Sequence, residues 1–512
     1  MIMTQRFMDT CRASLRREPA LWAVTLLVAL VHLGLAGRYD IFRNELYFII
    51  CGRHPAWGYV DQPPLIPLLA AATQAFGESV WLLRLPAVAA AVALVPLTAA
   101  IARALGGTPT AAWVAGLAAS LSPMLAALST VLTTATLEPL AWTGLAYLVL
   151  RAAQGGDRRM LYGAGLVAGL AMLAKYGAAI WIIALAVGLV ATPARTLFRH
   201  RALWLAGLIA LALGAPSLVW QALHGWPFFE VIRPAVGGTN FTGSPLRFMI
   251  GQAFEQNILL APLWLAGIVA PFRTARLKDA RFIAIAYPIA AAIVIGAHGK
   301  NYYLAGAYPS LFAVGAVALQ SIGRGWRTGW LLVTCAASIP LAPVVLPILD
   351  PPVLARYLAA THLAPPPEEA AAIGAPLTQL FSDQLGWRAL ERQVADAYRA
   401  LPEDERAHTA LVAADYGEAA ALDFYGAADG LPPAFSGQNQ YFLWGVGGFD
   451  GDTVLMINGD PAHWERLCRS SEIVGRIGAP FVMLYENDRP ILLCRGLRRP
   501  LAAVWPAFRR YR

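Results

Sequence analysis

The sequence predicts a mostly α-helical polytopic membrane protein that ends in a soluble α/β domain. Three observations lead there. Of 512 residues, 58% are apolar and only 14% charged, with a mean hydropathy of +0.53, a composition typical of multi-span membrane chains. Long apolar windows recur at 21–37, 80–102, 111–130, 132–150, 160–174, 176–193, 202–220, 248–270, 282–297, 302–320 and 328–349. From Asp350-Pro351-Pro352 onward the composition changes, and 20 of the 31 acidic residues lie in that last part.

A span needs about 20 residues to cross ~30 Å of hydrocarbon, so the windows predict about eleven transmembrane helices. Basic residues orient them. Arg6, Arg12, Arg16 and Arg17 precede the first span, and alternate loops carry Arg103; Arg151, Arg158 and Arg159; Arg195, Arg199 and Arg201; Arg273, Arg276, Lys278 and Arg281; Arg324 and Arg327. By the positive-inside rule the N-terminus is expected in the cytoplasm and residues 350–512 outside. The first apolar segment lacks a small-residue cleavage site and reads as a signal anchor. The net charge of +9 divides into +14 before Asp350 and −5 from there on. The basic excess therefore reflects topology and anionic membrane lipid rather than a nucleic-acid partner.

Two domains are expected: a membrane domain over 1–349, with a first outer loop at 38–79, and an extracytoplasmic α/β domain over 350–512. In the latter the pattern predicts helices at 383–400, 416–424 and 461–468, and strands at 409–414, 453–457, 481–485 and 491–494. Cys468 and Cys494 both fall in this outer domain. An oxidising compartment permits a disulfide between them, and their separation in space decides it. Cys11, Cys51 and Cys335 have no metal-ligand spacing.

The outer loop is the chemically dense part of the chain. It holds Asp40, Asn44-Glu45-Leu46-Tyr47 and Tyr59-Val60-Asp61-Gln62-Pro63-Pro64, with Trp57 between them. Acids are scarce before Asp350, and a carboxylate in a partly dry site can take the proton of a reacting hydroxyl. Beside that stands the plainer reading, in which Glu45 and Asp61 solvate a loop whose path the prolines set. The lysines give a second clue. Only three occur against 37 arginines, and Lys175 and Lys300 lie at outer ends of spans. An ammonium there can bind a phosphate and stabilise it as a leaving group, or it can simply snorkel to the interface.

Lys300 stands in HGKNYYLAGAYPSLFA, near His298, Tyr302, Tyr303 and Tyr308; Glu138 stands in TTATLEPLAW, where a carboxylate requires a partner or a wet cavity. No metal motif and no certain cofactor is evident. His54, His224 and His298 could join Asp61 around a divalent cation, though no spacing specifies it.

At these residues the chain resembles the dolichyl-phosphate-mannose protein mannosyltransferase-like superfamily. These are bacterial membrane enzymes of the C-type glycosyltransferase (GT-C) fold that include the aminoarabinose transferase modifying lipid A. The resemblance rests on the order of NELYF, GYVDQPPL, TTATLEPLAW, LAKYG and GKNYYLAGAYP through most of 1–350, and on AFSGQNQYFLWG and IGAPFVMLYENDRPILLCRG in the tail. It departs from the family in two places. The family's first-loop Asp-Glu is Asn44-Glu45 here, so the first acid's role is vacant or passes to Asp40 or Asp61. The Glu-Lys-Pro-Pro of the aminoarabinose branch is Asp61-Gln62-Pro63-Pro64, which keeps the acid and loses the lysine.

The resemblance implies an inverting glycosyltransferase of the inner membrane. It would move a sugar from a polyprenyl-phosphate donor to an envelope acceptor (lipid A or core, polysaccharide, glycolipid or protein) on the outer face. The expected roles are Glu45, Asp61 and Asp40 as catalytic acids. Lys300, with Lys175, Tyr302 and Tyr303, would hold the phosphate, and Tyr59, Glu138 and Tyr308 would contact substrate. All are expected to converge on one cavity. A flippase or transporter for a lipid-linked saccharide is the alternative; it predicts paired hydrophobic halves, and no half-repeat is visible.

Overall fold

The computed structural model describes residues 18–234, 244–367 and 373–511. Arg6, Arg12, Arg16, Arg17 and Cys11 lie outside the described residues. The chain forms two compact units. One gathers the stretch ending at Arg38, Leu83–Ser217 and the stretch ending at Ile348; the other gathers Tyr39–Leu82, the stretch beginning at Leu218, and Leu349 onward.

The first unit is helical. Among the described residues, four helices are long and apolar enough to cross a membrane: Leu85–Ala104, Arg201–Leu223, Ala275–Gly296 and Arg324–Val345. Counting the bent pairs Ala178–Val190 with Pro193–Arg199 and Pro245–Glu255 with Ile258–Arg273 brings the number to six, against the eleven windows of the sequence. The difference comes from helix breaks. Window 111–130 is split where Ser122 caps a new helix opening on Pro123, and window 302–320 divides into a 3-10 segment, Asn301–Ala307, and the helix Tyr308–Ala318. Windows 21–37 and 160–174 become helices of 17 and 15 residues.

Small residues let these helices close on each other. A Cβ on Gly315 would collide with the carbonyl of Leu263, and one on Gly267 with the carbonyl of Leu311, so Ala261–Arg273 and Tyr308–Ala318 touch backbone to backbone.

The second unit is built on a five-stranded sheet: β1 (Thr409–Ala413), β2 (Ala434–Ser436), β3 (Thr453–Ile457), β4 (Cys468–Ile477) and β5 (Arg489–Leu497), in spatial order β2-β1-β3-β5-β4. β1 runs parallel to β2 and β3, and β5 antiparallel to β3 and β4. TALVA and TVLMI are buried throughout, as central strands covered on both faces require. The helix Tyr416–Tyr425 starts just after β1. The Asp415 carboxylate accepts from Gly417 and Glu418 N–H at 2.7 and 2.9 Å, and the Glu418 carboxylate accepts from Asp415 N–H at 3.2 Å. Cys468 and Cys494 form a disulfide.

The strand expected at 481–485 is absent; Phe481 has φ +65° and Leu484–Glu486 is a 3-10 turn, which breaks extended pairing. The missing partner is β4, whose mostly solvent-facing residues hide it from an apolar pattern.

The outer loop folds within this second unit. Its helix Arg43–Arg53 is held by Arg43, whose N–H donates to Asp383 O at 2.8 Å. The Arg43 guanidinium lies 3.6 Å from the Asp383 carboxylate and over the rings of Tyr416 and Tyr485.

Candidate active site

In the helical unit Glu138, Tyr302 and Tyr303 meet around Lys175, and Lys300 is joined to Tyr303 through its backbone carbonyl. The helix Met160–Ala174 ends there: Lys175 is extended (φ −160°), which turns its side chain off the helix. Its Nζ donates to Glu138 Oε2 at 2.8 Å and lies 4.3 Å from the Tyr303 ring centroid and 5.1 Å from that of Tyr302. Glu138 opens the helix Glu138–Ala153, where the N-terminal dipole favours a carboxylate. Its helix is fixed by Trp142, which stacks on Trp181 at 5.1 Å and faces Gly306, where a Cβ would come within 2.7 Å of the indole. The same tryptophan thus positions both Glu138's helix and the segment carrying Tyr302 and Tyr303. The Lys175 and Glu138 side chains keep 16% and 7% exposure, so the ammonium, flanked by two aromatic rings, is largely but not wholly buried.

In the second unit the acids gather around Asp61. Tyr47 O–H donates to Asp61 Oδ1 at 2.9 Å and accepts from Gln440 N–H at 3.1 Å; Val60 N–H donates to Gln440 Oε1 at 3.2 Å, and the Asn439 side chain also hydrogen-bonds Asp61. The carboxyl is half-buried. Burial pushes its pKa up to about 6, while the Tyr47 and Asn439 hydrogen bonds stabilise the anion and hold it below a still higher value. A carboxylate so placed can exchange a proton near neutral pH. The Tyr47 ring packs on Tyr416 at 4.6 Å, and Tyr416 O–H donates to Asn44 Oδ1 at 2.8 Å.

The remaining predicted residues do visible structural work. Glu45 is fully buried, and its Oε2 accepts from Phe42 N–H at 2.8 Å, closing the first turn of Arg43–Arg53. Asp40 Oδ1 accepts from Ile41 N–H and Tyr425 O–H at 2.8 and 2.9 Å, and its other oxygen lies 3.5 Å from Arg388. Tyr59 is fully buried; its hydroxyl donates to Cys51 O and its carbonyl accepts from Gln221 Nε2, both at 2.8 Å. Tyr308 is fully buried too, with hydroxyl contacts to Tyr287 at 2.7 Å and to Gln252 at 3.0 Å. Lys300 is half-buried just before Asn301–Ala307, and its carbonyl accepts from Tyr303 N–H at 3.1 Å.

Among the described residues, no group of three or more His, Cys, Asp or Glu side chains is gathered to hold a metal ion. Asn439, Gln440 and Tyr416 are partners that the sequence reading did not assign. Asn439 and Gln440 lie in AFSGQNQYFLWG, singled out only for its family likeness; nothing in the spacing linked it to Asp61.

These arrangements can be set beside known proteins. Residues 61–220 match the family model for dolichyl-phosphate-mannose-protein mannosyltransferase. The structure superposes on ArnT from Cupriavidus metallidurans in the apo state with a TM-score of 0.61 at 17% identity, covering 92% of this chain and 96% of that one. With ArnT bound to undecaprenyl phosphate the TM-score is 0.59 at 16% identity, covering 92% and 97%. At these identities the likeness to both ArnT structures is one of fold. The Archaeoglobus fulgidus oligosaccharyltransferase is a more remote match, with a TM-score of 0.46 at 14% identity over 87% of this chain and 70% of that one. Comparison with curated protein sequences returns no match. The family match begins at Asp61 itself.

Proposed function

We propose that this protein is an inverting glycosyltransferase that moves a sugar from a polyprenyl-phosphate donor to an envelope acceptor on the outer face of the bacterial inner membrane. The observation that carries the proposal is Lys175, held by Glu138 against Tyr302 and Tyr303. An ammonium there can counter a phosphodiester and stabilise the polyprenyl phosphate as it departs. The fold shared with an ArnT that binds undecaprenyl phosphate supports the same donor class.

In the proposed reaction the acceptor hydroxyl oxygen attacks the anomeric carbon as the bond to phosphate breaks. One displacement inverts the centre. The hydroxyl proton passes to Asp61, whose raised pKa suits a base working near neutral pH. Lys300 immediately precedes the segment that bears Tyr302 and would serve a phosphate as a second cation. Glu45 and Asp40 serve the shape of the loop that presents Asp61. The Cys468–Cys494 disulfide supports an oxidising, outward location for the second unit. The acceptor class stays open among lipid A or core, polysaccharide, glycolipid and protein.

The test is incubation of the purified protein with radiolabelled undecaprenyl-phosphate sugars and an envelope extract. Label transferred covalently to an envelope component, with release of undecaprenyl phosphate, is expected. Label moved across vesicles without transfer would instead identify a flippase and overturn the proposal.

A further inference from the structure

We propose that the helical unit carries a site for an anionic phospholipid at the end where Arg324 and Arg327 lie. A cavity of about 310 Å³ opens between Pro109–Ser120, Ala261–Arg273, Tyr308–Ala318 and Arg324–Val345, at the low end of small-ligand pocket sizes. Val114, Leu263, Ala316, Leu319 and Trp330 give it an apolar wall. Among the described residues lining it, Arg327 is the one charged group; Gln320 also lines it and accepts from Thr108 N–H at 3.0 Å. Arg276 reaches the same loop, with a guanidinium nitrogen 3.2 Å from the Cβ position of Gly106.

Charge and setting select the occupant. An apolar slot with one arginine and no carboxylate among the described residues of its lining complements an acyl chain joined to a phosphate. The helix Arg324–Val345 is apolar and only 17% buried over its span window, and it carries Arg324 and a Trp326 that is 84% exposed in its first turn, as a membrane-interface anchor does. The site is separate from the Lys175 cluster. Tyr303 lies just before the start of Tyr308–Ala318, whereas the cavity is lined by Ala316 and Leu319 at its end, and eleven residues of helix span ~16 Å. A lipid here would bind at the far end of that helix from the proposed donor site.

The experiment is retention of lipid by the full-length protein after reconstitution in mixed phosphatidylglycerol and phosphatidylethanolamine and extraction into mild detergent, read by native mass spectrometry. Phosphatidylglycerol should be kept in preference. Arg327→Gln should weaken it about five-fold, the attraction of roughly one basic residue, and Ala316→Phe, which fills the slot, should abolish it. Circular dichroism on both variants checks the fold, and Arg327→Gln at a half-buried position keeps the test valid if Ala316→Phe misfolds. Equal retention of both lipids, retention unchanged in Arg327→Gln, or occupancy by undecaprenyl phosphate alone would overturn the proposal. The readout is lipid binding, so its failure leaves the sugar-transfer proposal standing.

Discussion

Tyr47 donates its hydroxyl proton to Asp61 across 2.9 Å and is itself backed by the amide of Gln440, so the loop carboxylate is held by a residue from its own loop and by the tail of the chain. Its half-burial raises the pKa to about 6. A base must be deprotonated to act, so transfer should fall as pH drops through about 6, giving an acid limb in kcat/KM. Removing the Tyr47 hydroxyl takes away a hydrogen bond to the anion and raises the pKa further. Tyr47→Phe should therefore move the limb to higher pH, and a pH–rate profile of the two proteins checks it. The linkage to stability runs the opposite way: this group's contribution is greatest below its unfolded value and declines as pH rises through about 6.

Asp61→Asn should lower transfer at least 100-fold while the protein still inserts and elutes as wild type, since a positioned base contributes about 10²–10⁴ in rate. Radiolabel transfer in detergent measures it. Unchanged transfer would remove Asp61 from the mechanism.

Lys175 and Glu138 should be separable in stability but not in activity. Lys175→Met leaves a nearly buried carboxylate unpaired and should cost about 3–5 kcal/mol. Lys175→Met with Glu138→Gln should recover much of that loss, because both charges are gone. Neither protein should transfer sugar. Thermal melts in detergent alongside transfer assays distinguish a pair that only braces the fold from one that meets the donor.

Glu45 makes a contrasting case. Its carboxylate closes a helix turn by accepting from a backbone N–H, and the amide oxygen introduced by Glu45→Gln can still accept that bond. Glu45→Gln should therefore keep transfer within a few fold, and Glu45→Ala should cost about 0.5–2 kcal/mol as a lost cap. Loss of transfer in Glu45→Gln with stability intact would place Glu45 in the chemistry.

The disulfide closes a stretch of 26 residues between β4 and β5. Chain-entropy reasoning assigns such a loop about 3–4 kcal/mol. Melting with and without reductant, or of Cys468→Ser with Cys494→Ser, should show a loss of that order.

What the sequence conveys depends on the range of the interaction. Asp61 and Lys175 stand out because their residue types are rare where they occur, a signal that survives without any knowledge of contacts. The strands β1 and β3 are visible because burial on both faces leaves an unbroken apolar run. β4 is invisible because an edge strand with polar faces has no such run.

The cap that Glu45 makes is hidden in the sequence for a local reason. Its capping partner is Phe42, which supplies a backbone N–H and no side-chain acceptor, so the Ser/Thr-x-x-Glu pattern that announces a cap is missing. The Asn439 and Gln440 contacts with Asp61 and Tyr47 bridge some 380 positions, and neither periodicity nor spacing encodes such a pairing.

The loop that bears Asp61 leaves the ribosome among the first hundred residues, yet the groups that seat it are made among the last hundred. During synthesis it must wait unseated while the intervening helices are threaded into the bilayer. A nascent or truncated chain lacking its tail would therefore carry Asp61 without Gln440 to brace Tyr47, so the loop is seated only once the segment around Gln440 has been made.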